Sequence, residues 1–234
     1  MRALYRLFVT SSVTRGRLVG LGALGALAVL LGVAVGAADG GRSLDDGVTL
    51  VNAYGLSLLV PVTTLVFASA VLGEPNEDGT LVYLWLRPVA RWKLGAAALA
   101  AALSVSVPVV VVPMSAAAAA TGAGMGLVTA TAASCVVAVV AYGAVFTWLG
   151  LRARRALVWG LVYILVWEGF VARSGGTASL LAIRTHTRSL LARLADGAGG
   201  LVEVSLVTSV AVPLLTAAVA VVLATRRLNR QEVQ

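Results

Sequence analysis

The chain has 234 residues, of which 59% are hydrophobic and only 12% charged; it carries a net charge of +8 and a mean hydropathy of +0.95. Soluble domains carry about 25% charged residues, so these figures exclude a water-soluble globular domain and define an integral membrane protein. One cysteine, Cys135, and one histidine, His186, allow neither an intrachain disulfide nor a cysteine-based metal cluster.

A membrane-spanning helix needs about 20 mostly apolar residues to cross a hydrocarbon core of about 30 Å. Six stretches qualify in chain order, at about 18–38, 48–72, 95–115, 125–149, 156–172 and 203–224. They are apolar on every face, whereas spanning strands would alternate apolar and polar residues. The expected fold is therefore all-α and polytopic, one transmembrane domain of six helices over residues 1–234.

Residues 1–17 form a basic interfacial segment before the first span. The apolar run behind it is longer than a signal-peptide core and five more spans follow, so it is read as an uncleaved helix. Gly16-x-x-x-Gly20 and Gly32-x-x-x-Gly36 at the ends of this span suit close helix approach in lipid, although Ala and Gly are abundant throughout.

Basic residues set the orientation. With six spans both termini share one face, and thirteen of the eighteen Lys and Arg fall there, around residues 2–17, 87–93, 152–155 and 226–230. Both termini are therefore cytoplasmic. Trp92, Trp148 and Trp159 lie within a turn or two of these charges, as interfacial anchors do. Orientation and anionic lipid headgroups account for the positive charge, and nucleic acid is not implied.

Between the second and third spans the sequence reads EPNEDGTLVYLWLRPVARWKL, residues 74–94. Asn76 suits an N-cap, Glu77 and Asp78 a first helical turn, and Pro88 behind Arg87 a stop. The spacing predicts a short cytoplasmic helix with Leu81, Leu84 and Trp85 on one side and Glu77, Thr80, Tyr83 and Arg87 on the other. Such a helix either tiles the membrane surface or presents a polar face to a partner.

Farther along, Glu168 lies in the fifth span, roughly 18 Å from its start, and is expected to line a translocation path or to tie the following segment to the bundle. Residues 173–202 carry too many arginines to span; they are expected to form an external re-entrant or interfacial segment, with His186 on its surface. Pro61, Pro108, Pro113 and Pro213 fall inside spans, where they bend helices.

The run EDGTLVYLWLRPVARWKL resembles the cytoplasmic signature of the membrane subunits of type-2 ABC transporters. The matching positions are Glu74, Glu77, Asp78, Gly79, Thr80, Leu81, Arg87, Pro88, Val89 and Arg91, with Trp85 as an aromatic anchor. LVYILVWEGFVA (161–172) and LAIRTHTRSLLARL (181–194) resemble the permeases related to the nitrous-oxide-reductase maturation transporter. The lysine common where the third span begins is displaced upstream, to Lys93.

The resemblance implies a permease subunit of an ATP-driven transporter in the cell inner membrane, an exporter, whose residues 74–91 form a coupling helix seated on a separate P-loop ATPase. It also implies a second permease copy, in a homodimer or heterodimer, and ATP and Mg bound by the partner ATPase. The sequence has no Gly-x-x-x-x-Gly-Lys P-loop of its own. Two other readings are a membrane assembly factor, which would show the same coupling helix, and an intramembrane enzyme, disfavoured because His186 lies outside the spans and no Glu-Glu pair occurs.

Overall fold

The computed structural model describes residues 2–38, 44–79, 90–170, 176–195 and 204–230, and among these every regular element is a helix. An amphipathic helix, α1 (Arg2–Ser12), precedes the first span, α2 (Arg15–Ala38). Then come α3 (Leu44–Glu77), α4 (Arg91–Ala120), α5 (Met125–Arg152), the shorter α6 (Ala156–Glu168), a 3-10 turn (Gly176–Leu181), α7 (Ile183–Leu194) and α8 (Leu206–Arg230).

Five helices are long and apolar enough to cross a membrane: α2, α3, α4, α5 and α8. The sixth expected span is only partly made by α6, which at about 1.5 Å per residue is about 20 Å long. The fold is thus an all-α polytopic bundle in which, among the described residues, five helices are long enough to span by themselves and α6 is shorter.

Helix α5 is the hub, packing against α3, α4, α6, α7 and α8. Small residues let these backbones meet. A Cβ on Gly150 of α5 would lie 2.8 Å from the Ser69 carbonyl oxygen and 3.1 Å from the Gly73 nitrogen of α3. On α2, Cβ atoms at Gly32 and Gly36 would collide with the carbonyls of Ala117 and Ala120 in α4. Gly32-x-x-x-Gly36 therefore serves packing within the chain, whereas Gly16 and Gly20 face open space. The outward sides of α2 and α8 are apolar and exposed, as at Val19, Leu30, Val207 and Leu215, the expected state of side chains that meet lipid.

The second span is not a uniform helix. Residues Val51–Leu59 are a π-helix, followed by regular helix from Val60 with Pro61 in its first turn. Pro61 has no N–H to donate to the turn before it, and the Val60 N–H closes instead on Gly55, five residues back. The Cβ that Gly55 lacks would overlap the Met114 side chain of α4, lying 2.5 Å from its terminal methyl. A second π-helical turn, Tyr163–Glu168, ends α6.

The segment after α6 enters the bundle. Ile183, Thr185, His186, Thr187, Ser189, Leu190, Leu191 and Ala192 of α7 are all buried, against α5, α8 and the π-helical part of α3. His186 is therefore not a surface residue: it is 2% exposed, and its Nε2 lies 2.8 Å from the Leu180 carbonyl. The arginine content hid this placement, because Arg184 and Arg188 are only half-buried on a helix whose other residues are mostly buried.

Candidate functional site

Two places bring the predicted residues together: the cytoplasmic end of the bundle and the junction of α6 with α7.

At the cytoplasmic end, α3 continues through Glu74, Pro75, Asn76 and Glu77 and stops at Asp78 and Gly79. Gly79 has φ +68°, the left-handed conformation that ends helices at low cost only for glycine. This corrects the expected N-cap at Asn76: Asn76, Glu77 and Asp78 close the second span and do not open a new helix. The local sequence suits either role, and the helical register of α3 decides.

Each polar side chain of this last turn reaches a different helix. Glu74 makes an ion pair with Arg17 at the start of α2, and Arg17 also donates to the Ser12 carbonyl at the end of α1, at 3.0 Å. Asn76 Nδ2 donates to the Gly150 carbonyl in α5 at 3.3 Å. Glu77 Oε1 accepts from the backbone N–H groups of Arg155, at 2.7 Å, and Ala156, at 3.3 Å, and so caps the start of α6. Asp78 is exposed.

The α6 N-terminus needs a remote acceptor. Its N-cap, Arg155, has no oxygen to offer and sits in the left-handed region at φ 61°, ψ 51°, where no other non-glycine described residue has positive φ. A helix start without a local Ser, Asp or Asn was the sequence signal, but it does not say which carboxylate answers it.

The other end of the predicted coupling segment is also fastened. Arg91 Nη1 donates to the carbonyls of Leu228, at 2.7 Å, and Asn229, at 3.0 Å, in the last turn of α8, which satisfies carbonyls that the helix itself leaves open. Thr80, Leu81, Trp85, Arg87, Pro88 and Val89 lie outside the described residues.

Deeper in the bundle, Glu168 ends α6 and is 4% exposed. Its Oε1 accepts from the Tyr163 hydroxyl at 3.2 Å and the Ile183 N–H at 3.2 Å, and its Oε2 from the Arg184 N–H at 3.3 Å. Tyr163 meets Phe146 edge-on, and Phe146 stacks on Tyr142. The hydroxyl of buried Tyr142 also faces Glu168.

Ala182, the residue before α7, has the extended conformation of an N-cap but no side-chain acceptor. Glu168 supplies that acceptor. α7 then runs outward, since near its other end Arg193 Nε donates to Val204, just before α8, at 2.8 Å. Helices α6 and α7 thus lie end to end, about 20 Å and 18 Å long, with the carboxylate at the break.

With this geometry in hand, the family is defined. Residues 15–175 match the ABC-2 family transporter proteins, most of the chain. The protein belongs to that family, the multi-pass membrane components of ABC transporters. The match takes in the cytoplasmic residues 74–91 and Glu168 but ends before α7. A search of curated proteins found no match.

Proposed function

We propose that this chain is the permease subunit of an exporter in the cell inner membrane, driven by a separate P-loop ATPase that binds ATP and Mg, and that it works as a pair with a second permease copy. Residues 74–91 are the contact through which the ATPase acts. What supports the coupling is the fastening of both ends of that segment: Glu74, Asn76 and Glu77 hold α2, α5 and α6 on one side, and Arg91 holds α8 on the other. A displacement of the residues between them pulls on four other helices at once. The scarcity of polar groups in the spans favours a lipid-like or hydrophobic cargo.

The test is copurification of the tagged protein in mild detergent with identification of partners by mass spectrometry. A stoichiometric P-loop ATPase is expected with the wild type and is expected to be lost with Asp78→Lys combined with Arg87→Glu, which alter the segment without touching the Glu77 cap. Undiminished ATPase in the double variant overturns the coupling assignment. A wild-type preparation without ATPase, even after crosslinking, overturns the permease reading in favour of an assembly factor.

A further inference from the structure

Between α2 and α4 the outer surface of the bundle is interrupted by a slot of about 520 Å³, within the roughly 300–1,000 Å³ of cavities that hold small molecules. On the α2 side Leu18 and Val29 stand at its two ends with Gly22 and Ala26 between them, and α4 forms the other wall from Pro108 to Ala116. Every lining residue is Gly, Ala, Pro, Val or Leu. The slot exists because of what α2 leaves out: a Cβ at Gly22 would meet nothing within 4 Å, and the small side chain of Ala26 is exposed. At the floor the helices touch, since a Cβ on Gly25 would lie 3.1 Å from the Pro113 ring.

The two ends differ. Beyond Val29 the backbones of α2 and α4 meet at Gly32 and Gly36 and shut the slot, whereas toward Arg15 the positions of Gly16 and Gly20 face open space. Leu18 and Val29 are about 16 Å apart along α2, so the volume corresponds to a section of roughly 30 Å². A helix is about 10–12 Å wide with its side chains and is too thick to lie in it. The slot is also continuous with the lipid-facing side of α2, where Val19 and Leu30 are exposed.

We propose that this slot holds one acyl chain of a membrane phospholipid, its methyl end toward Val29 and its ester end toward Leu18. A narrow apolar channel that opens sideways onto lipid and is closed at one end fits a single flexible hydrocarbon tail, which fills irregular space that neighbouring side chains leave empty. The assignment holds for a permease and for an assembly factor alike.

The experiment is photolabelling of the full chain in phosphatidylcholine nanodiscs doped with phosphatidylcholine that carries a diazirine on one acyl chain, either near the ester or near the methyl end. Adducts are located by peptide mass spectrometry. The slot is expected to label severalfold more strongly than the α8 face at Val207 and Leu215, which is exposed but lies outside the slot. The ester-end probe is expected on the Leu18 side and the methyl-end probe on the Val29 side. Gly22→Leu with Ala26→Leu, which fills the slot and leaves the contact of Gly25 with Pro113 alone, is expected to bring its labelling down to the level of α8. Ala211→Leu with Ala218→Leu, the same bulk added at exposed positions of α8, is expected to leave slot labelling unchanged. Labelling no stronger than that of α8, or undiminished in the Gly22 and Ala26 pair, overturns the site, and a reversed order of the two probes overturns the orientation. Disulfide crosslinking of two copies through Ala26→Cys, which the buried native Cys135 does not confuse, overturns the lipid assignment in favour of a second copy of this chain.

Discussion

Glu77 and Glu168 perform the same task in different surroundings. Each carboxylate accepts from two successive backbone N–H groups at the start of a helix that has no capping side chain of its own, α6 for Glu77 and α7 for Glu168. Glu77 does so at the cytoplasmic edge, with its partner Arg155 exposed. Glu168 does so within the bundle, where water does not compensate a lost partner. The comparison teaches that a cap's value is set less by its geometry than by what would replace it.

The largest effect that follows is for Glu168→Ala. It leaves two backbone N–H groups and the Tyr163 hydroxyl without their acceptor in a buried site, and a loss of about 3–5 kcal/mol is expected, read as a collapse of thermal stability and recovery in detergent. Glu168→Gln keeps one oxygen acceptor and should lose less. If Glu168→Ala unfolds like the wild type, the carboxylate does not hold α7.

Glu77→Ala should cost only about 1 kcal/mol, because water reaches the freed Arg155 N–H. Equal losses for Glu77→Ala and Glu168→Ala would break the comparison outright. A sharper contrast comes from supplying local caps. Ala182 already has N-cap geometry, so Ala182→Ser in the Glu168→Ala background should restore about 1 kcal/mol. Arg155→Ser should not rescue Glu77→Ala, because a left-handed residue cannot aim its hydroxyl at the following turn in the usual way.

The smallest effect is expected at the ion pair beside Glu77. Arg17 and Glu74 side chains are 21% and 44% exposed, so Glu74→Gln should change stability by less than about 1 kcal/mol and less still at high salt. A salt-independent loss larger than that of Glu77→Ala would make Glu74, not Glu77, the main fastening at this end of the bundle.

Much of the fold was legible in the sequence. The long apolar runs give α2, α3, α4, α5 and α8, because the need to satisfy every backbone group in lipid makes an apolar stretch of that length a helix whatever surrounds it. The acidic turn at 74–79 and the acid at 168 inside an apolar run were also conspicuous by composition alone. Their partners were not. Whether Asn76 opens a helix or closes one depends on the register of α3, and the acceptor for α6 comes from 78 residues away in sequence. The burial of α7, and of His186 with it, likewise depends on α5 and α8 standing on either side of it. Apolar length is a local property that the amino-acid sequence fixes by itself; which carboxylate satisfies which open helix end is a matter of what packing brings within hydrogen-bond reach, and only the tertiary structure decided it.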